Sequence, residues 1–476
     1  MKRFLAGAFA LLVMLVAPAA AHAVNITVNT TVDEYGTGTS CSLREAITAA
    51  QDNVSFGGCP AGFAADTISL PAGEYKITRA GDDEDDNATG DFDIDGANAL
   101  DIQPAGPTDR VVIDGNQLDR VFDDRTSGLV KFLAVQITGG KLTKIEDGAG
   151  IRNSTGITSL ENVTVNGNSS AYQAGGIAVY NNLQMVNSTI SGNKAGGNGG
   201  GLYVPGGASM TVRSSTIYGN EADADNSGGG YGGGFAETGG LSVDFTNVLN
   251  AGNSGTGVLP ANEAYDCASG PNFYPRYVLQ GQPLGPLDCL IAFDPGTNVI
   301  SDDVKVDPVL RYNGGQTPTH ALLPGSPAIA AGGVNPPDQC PGVDQNGYGR
   351  PAGQCDIGAA QFKPVPKLAI TKILPKKKVI KRKKTKVIKV VLRNNGTGAA
   401  NQLRVCLNIS KAAKKGLKVK GKACRNLGTI AVGASKTAKI KLTAKPRAKK
   451  KAYPVRATYK GENTKSAFRA FKVRVK

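Results

Sequence analysis

Tryptophan is missing from the 476-residue chain, methionine occurs four times and histidine twice. Phenylalanine and tyrosine supply only 14 residues each. So thin an aromatic content argues against the core of an ordinary globular enzyme. After residue 23 no apolar stretch is long enough to cross a bilayer. Acid is nearly missing from one end: residues 364–476 hold 35 Lys and Arg against a single acid, Glu462. Glycine, by contrast, is plentiful, with 62 residues, about twice its average usage. That favours a fold with many tight turns.

The first 23 residues read as a secretory signal, with Lys2 and Arg3 ahead of an apolar run over residues 4–16 and a small-x-small site at Ala21-His22-Ala23. Cleavage there leaves an exported chain beginning at Val24, with no cysteine at the cut to carry a lipid. Export makes disulfides the natural reading of the eight cysteines. They fall into close pairs: Cys41 with Cys59, Cys267 with Cys289, Cys340 with Cys355, and Cys406 with Cys424. No pair has the C-x-x-C spacing of a zinc site.

Residues 24–65 read as an N-terminal cap. A strand-like alternation from Val24 to Val32 leads to Cys41-Ser-Leu-Arg-Glu-Ala46, where Ser42 and Glu45 form a capping box. Leu43, Ala46, Ile47 and Ala50 then share one helical face. A strand and one amphipathic helix suffice to cover the open end of a β-solenoid.

Residues 66–253 carry the repeats. Glu161-Asn-Val-Thr-Val-Asn-Gly-Asn168 recurs as Val186-Asn-Ser-Thr-Ile-Ser-Gly-Asn193, as Arg213-Ser-Ser-Thr-Ile-Tyr-Gly-Asn220, and more weakly as Thr246-Asn-Val-Leu-Asn-Ala-Gly-Asn253. A glycine-rich motif precedes each. Such units hold short period-two runs and no helical pattern, and none can bury its apolar face alone, so they must stack. Asn and Gly suit the left-handed backbone of the corners, and recurring Asn predicts amide ladders along the axis. Residues 254–362 lose the repeat and read as the loop-rich end of the helix.

Lys-Pro-Val-Pro within residues 363–367 reads as a stiff linker. Residues 368–476 then show about seven short alternating runs, the pattern of an immunoglobulin-like sandwich.

Two segments carry a resemblance. Cys41-Ser-Leu-Arg-Glu-Ala46 is identical to the signature of the CSLREA domain. Asp307-Pro-Val-Leu310, the stretch from Asn313 to Ile329, and Cys355-Asp-Ile-Gly-Ala359 resemble the closing region of exported "choice-of-anchor" bacterial proteins. The resemblance spans roughly residues 24–362. It implies a right-handed parallel β-helix at or beyond the cell surface, and it brings no catalytic residues. The basic module resembles the CARDB or DUF11 type by pattern. The expected fold is therefore all-β: a right-handed parallel β-helix with an N-terminal capping helix, then a small immunoglobulin-like sandwich.

Two acidic groups offer chemistry. Asp82, Asp83 and Asp85 lie in one acidic run, and Asp91 and Asp93 follow on alternate positions of a strand. Hard oxygens at this spacing suit calcium, the one cofactor the sequence suggests; a solvated acidic loop is the plainer reading. Asp114, Asp119, Asp123 and Asp124 sit among Arg120 and Arg125, which reads as surface ion pairs or as the paired acids of a hydrolase. His320, alone after residue 23, reads as packed or turn-bonded. The cation run holding Lys376, Lys377, Lys378, Lys381, Arg382, Lys383 and Lys384 seeks a polyanion. Export favours anionic cell-envelope polymers or polysaccharide over nucleic acid. Surface adhesion or display, a polysaccharide lyase or hydrolase, and a passive stalk all fit this frame.

Overall fold

A computed structural model describes residues 23–81, 84–255, 266–270, 272–281, 296–351 and 353–476. The expected signal segment falls outside these residues except for its last position. The chain divides into two compact units after Gln361.

The first unit is a parallel β-helix. Its cap begins with the strand Asn25–Thr27, which pairs in parallel with Asp66–Leu70. Between them runs the helix Leu43–Asp52, started by the predicted box: Ser42 Oγ accepts from the Glu45 amide at 3.2 Å, and Glu45 Oε2 accepts from the Ser42 amide at 3.1 Å. It ends at Asn53 in the left-handed region. Leu43, Ala46, Ile47 and Ala50 are all buried, joining the core that begins at Ile26 and Ile68.

Each later turn adds one short strand to each of three long parallel sheets, the first holding Asp66–Leu70, the second Phe92–Ile94 and the third Gly73–Lys76. The strand Ile157–Glu161 pairs residue for residue with Leu129–Leu133 on one side and Asn182–Val186 on the other. Strand alternation sends every second side chain inward. Leu160, Met185, Val212 and Phe245 therefore stack at successive levels, fully buried. The expected corners are present. Asn162, Asn187, Ser214 and Asn247 occupy one corner at φ between 46° and 60°, and Gly167, Gly192, Gly219 and Gly252 another at 62° to 68°.

The amide ladder forms at the last Asn of the repeat. Nδ2 of Asn168 donates to Asn193 Oδ1 at 3.0 Å, Asn193 to Asn220 at 2.9 Å, and Asn220 to Asn253 at 2.9 Å. Each Oδ1 also accepts the backbone amide of the preceding Asn. All four residues are buried, so the ladder satisfies polar groups that water cannot reach. Substituting Asn193 with Leu strands the Asn168 amide. The variant is expected to lose about 1–3 kcal/mol, measured as an earlier urea midpoint; an unchanged midpoint would mean that the ladder contributes nothing.

The repeat fades in sequence after residue 253, but the sheets continue. Cys267–Ala268, Phe273–Arg276 and Leu279–Gly281 extend all three, and Val299–Ser301 extends one of them again. Phe273 meets Phe245 edge to face with ring centroids 5.1 Å apart, so packing persists after the Asn-Gly signature is lost. The described residues of 304–361 do not add turns. They lie along the flank of the third sheet: Gln345 Nε2 donates to Val163 O at 3.1 Å, and Thr164 Oγ1 to Pro318 O at 2.7 Å.

The second unit is a two-sheet sandwich with its own core, including Ile388, Val390, Val405 and Val455. One sheet orders Leu368–Leu374, Thr385–Asn394, Ser435–Ala444 and Leu417–Lys420; the other Val379–Ile380, Thr464–Val475, Ala452–Gly461, Ala400–Ile409 and Cys424–Ile430. The disulfides Cys41–Cys59, Cys340–Cys355 and Cys406–Cys424 are formed. The Cys267–Cys289 pairing falls on Cys289, outside the described residues.

Candidate functional site

The two acidic groups read separately in sequence meet in space. Strands Phe92–Ile94, Phe122–Asp124 and Ile151–Asn153 pair in register, so Phe92, Phe122 and Ile151 form one row, Asp93, Asp123 and Arg152 the next, and Ile94, Asp124 and Asn153 a third. The first row is core. Alternation sends the second row to the opposite face, where neighbouring strands hold Asp93 and Asp123 roughly 4.8 Å apart along the axis.

Three arginines answer these acids. Arg152 holds Asp123 through Nε at 2.9 Å and a second, closer contact from Nη2. Arg120 Nη1 lies 2.8 Å from Asp91 Oδ2 and 3.8 Å from Asp123. Arg125 grips Asp95 at 2.6 and 3.0 Å and also contacts Asp85. Asp93 is served least. Its Oδ2 accepts the Asn87 amide at 3.2 Å, while its Oδ1 is buried without a hydrogen bond, 3.8 Å from Arg125 Nη2. Burial, aided by the charge of Asp91, pushes the Asp93 carboxyl up to about 8. Burial likewise raises Asp91 to about 7, against the pull of Arg120.

Of the proposed calcium ligands, Asp82 and Asp83 lie outside the described residues. Asp85 and Asp93 each bring a carboxylate oxygen within 4.8 Å of the other's and of one from Asp123, a residue the sequence placed in the other group. Asp91 is held by Arg120 instead. Three oxygens within reach fit a hard divalent ion in part, since calcium takes six to eight, and the Arg125 guanidinium competes for two of them. Removing that rival gives a direct test. Arg125→Gln is expected to make the melting temperature rise with about 1 mM calcium, the affinity range of extracellular modules. No rise in scanning fluorimetry would exclude calcium from this cluster.

A cavity of about 260 Å³ opens over the row, walled by Glu84, Asp85, Arg120, Glu146 and Arg152. Glu84 belongs to the acidic run of residues 82–86, whereas Glu146 and Arg152 went unnoticed as site residues. Superposing Phe92-Asp-Ile on Phe122-Asp-Asp and Ile151-Arg-Asn would have brought Arg152 to the acids, since all three hold one register position. Asp114 stands apart, on the third sheet, near Lys76.

His320 is packed and turn-bonded, as expected. Its Nδ1 faces the Asp307 carbonyl at 2.8 Å, and its Nε2 faces Ser191 Oγ at 2.8 Å. The carbonyl can only accept, which puts the proton on Nδ1 and leaves Nε2 to accept from serine. Burial lowers its pKa, so a neutral ring pins the flank segment. The pair is sealed from solvent, unlike a catalytic serine.

The sandwich is a second candidate site. Lys376, Lys377, Lys381, Arg382, Lys383 and Lys384 are exposed and Lys378 is partly so. Strand pairing adds cations that the run did not reveal. Lys389 stands directly opposite Lys439, Lys420 opposite Lys441, and Arg404 opposite Lys460, all exposed. Like charges face to face across strands destabilise a sheet, and Glu462 is the only acid in residues 364–476 to offset them.

Among the described residues, no helix is long and apolar enough to cross a membrane. No family model matches the chain, and no curated protein does. A solved structure it matches, a cryo-EM reconstruction of the native conformation of E. coli alpha-2-macroglobulin, is 17% identical over 24% of this chain and 7% of that one. Its TM-score of 0.18 is too low to bear on fold or function.

Proposed function

We propose that this chain is a secreted, surface-associated protein in which the β-helix displays its flanks for adhesion or display and the basic sandwich retains it on anionic envelope polymers. The observation that carries the reading is the set of exposed cross-strand cation pairs in a domain with one acid. A polyanion relieves that repulsion and releases its own counterions. The cysteine pairing suits an oxidising compartment. Kinship with the CSLREA and choice-of-anchor proteins belongs to the same proposal, supported by the motifs and by a parallel β-helix behind them. The lyase or hydrolase alternative has weaker support, because Asp91 and Asp123 line the cavity but are already held by Arg120 and Arg152, and Asp93 is buried beneath it.

Deleting residues 364–476 is expected to move most of the protein from the cell fraction to the medium. Washing intact cells with about 1 M salt, where attraction between exposed charges reaches only ~3 Å, should release the full chain as well. Retention that survives both treatments would refute the tether.

A further inference from the structure

Two adjoining cavities lie on the five-stranded sheet of the sandwich. One, of about 640 Å³, is lined by Arg404, Lys422, Arg425 and Asn426 beside Cys424. The other, of about 450 Å³, is lined by Arg404, Lys460, Thr458 and Phe468 beside the same Cys424. Their shared walls, Arg404 and Cys424, make them one trough over the Cys406–Cys424 disulfide. The disulfide joins directly paired positions of neighbouring strands, so the floor is fixed.

No carboxylate lines either cavity, although four cations do. Arg404 and Lys460 face each other across the strands. Arg425 Nη1 donates to the carbonyls of Lys422 and Cys424 at 3.2 and 3.0 Å, which orients its guanidinium while its other donors stay available. Phe468 adds an apolar element: it is 59% exposed, with the Arg456 guanidinium 4.8 Å from its ring centroid. An aromatic ring that faces water beside unpaired cations suits a ligand whose anionic groups are borne on ring-shaped units. Planar guanidinium groups match carboxylates in a two-pronged fashion that lysine cannot.

We infer that this trough is a binding subsite for an acidic polysaccharide of carboxylate-bearing sugars. Arg404, Arg425 and Lys460 hold the carboxylates, and a sugar face lies on Phe468. The inference rests on the tethering reading and narrows it from diffuse attraction to one groove and one class of polymer. A flexible poly(glycerol phosphate) supplies the charge but no ring face.

The experiment uses the full chain and a galacturonate octamer by titration calorimetry, with poly(glycerol phosphate) as the second probe. Arg404→Ala with Lys460→Ala should weaken octamer binding at least tenfold. Lys372→Ala with Lys418→Ala, both exposed, removes the same charge from the other sheet and should weaken it less than threefold. Phe468→Ala should reduce octamer affinity and leave poly(glycerol phosphate) unaffected. Equal losses from both double variants would overturn the groove while leaving the charge-based tether intact. Tighter binding of the phosphate polymer than of the octamer, or indifference to Phe468→Ala, would overturn the sugar assignment. Failure to bind either polymer, with the cell fraction unmoved by salt, would overturn the tether itself.

Discussion

Arg44→Met is expected to be the most damaging single substitution in the cap, costing about 3–5 kcal/mol, the range for a buried ion pair that loses one partner. The Arg44 side chain is completely buried and that of Asp33 is 1% exposed, with Nε and Oδ1 2.7 Å apart. The remaining guanidinium hydrogens reach the carbonyls of Asp91 at 2.7 Å and Gly90 at 2.8 Å, and the group lies 4.7 Å from the centroid of Phe92. One side chain thus ties the cap helix to the loop entering the first strand of the second sheet. Methionine fills the volume but strands the Asp33 carboxylate, which would keep only the amides of Thr78 and Arg79 at 2.8 and 3.1 Å. Pairing the change with Asp33→Asn removes the stranded charge and should recover part of the loss. Stacked turns contact mainly their neighbours, so the damage should be local. Hydrogen exchange should show residues 43–52 losing protection before the turns around Ile190. A melting temperature within about 2 °C of the parent would mean that the pair is dispensable.

Within Cys41-Ser-Leu-Arg-Glu-Ala46 the capping box and the buried face were legible, because both obey spacings of three and four residues. Arg44 was not, because its partners lie up to 47 residues away in a loop without a pattern. The amide ladder was legible because Asn recurs in register, and the sandwich strands because Lys and apolar residues alternate. The strands Val379–Ile380, Leu417–Lys420 and Cys424–Ile430 escaped, being short or poorly alternating. The extra turn after residue 253 escaped because aromatic packing replaced the Asn-Gly code. The position of the flank segment is not legible, since contacts such as Gln345 with Val163, 182 residues apart, leave no local trace. The two acidic groups were seen, but their union depends on strand register. So does the facing of Lys389 with Lys439, which no count of charges reveals.

Register also explains the second large effect, at Asp124. Its side chain points into the β-helix interior, level with Asn153 of the next turn and Ile94 of the previous one. It is fully buried, and burial pushes its carboxyl up to about 7 despite hydrogen bonds from Thr158 Oγ1 at 2.5 Å and the Thr126 amide at 3.3 Å. In the unfolded chain the same group titrates near 3.9. The folded state therefore binds a proton that the unfolded state lacks between about pH 4 and pH 7. Below about pH 4 both states are protonated and the residue costs nothing extra. As pH rises the cost grows, and above about pH 7 it is complete, at most about 4 kcal/mol for three pH units. Asp124→Asn removes the titration without changing shape, and Asn153 already shows that an amide fits this register position. The variant should match the parent at pH 4 and exceed it at pH 8, with a gap in melting temperature that widens steadily between. Taking the difference between the two proteins cancels the parallel contributions of Asp91 and Asp93, which both retain. A constant gap across that range would mean that Asp124 is already ionised in the folded chain, its charge answered by Thr158 and the Thr126 amide.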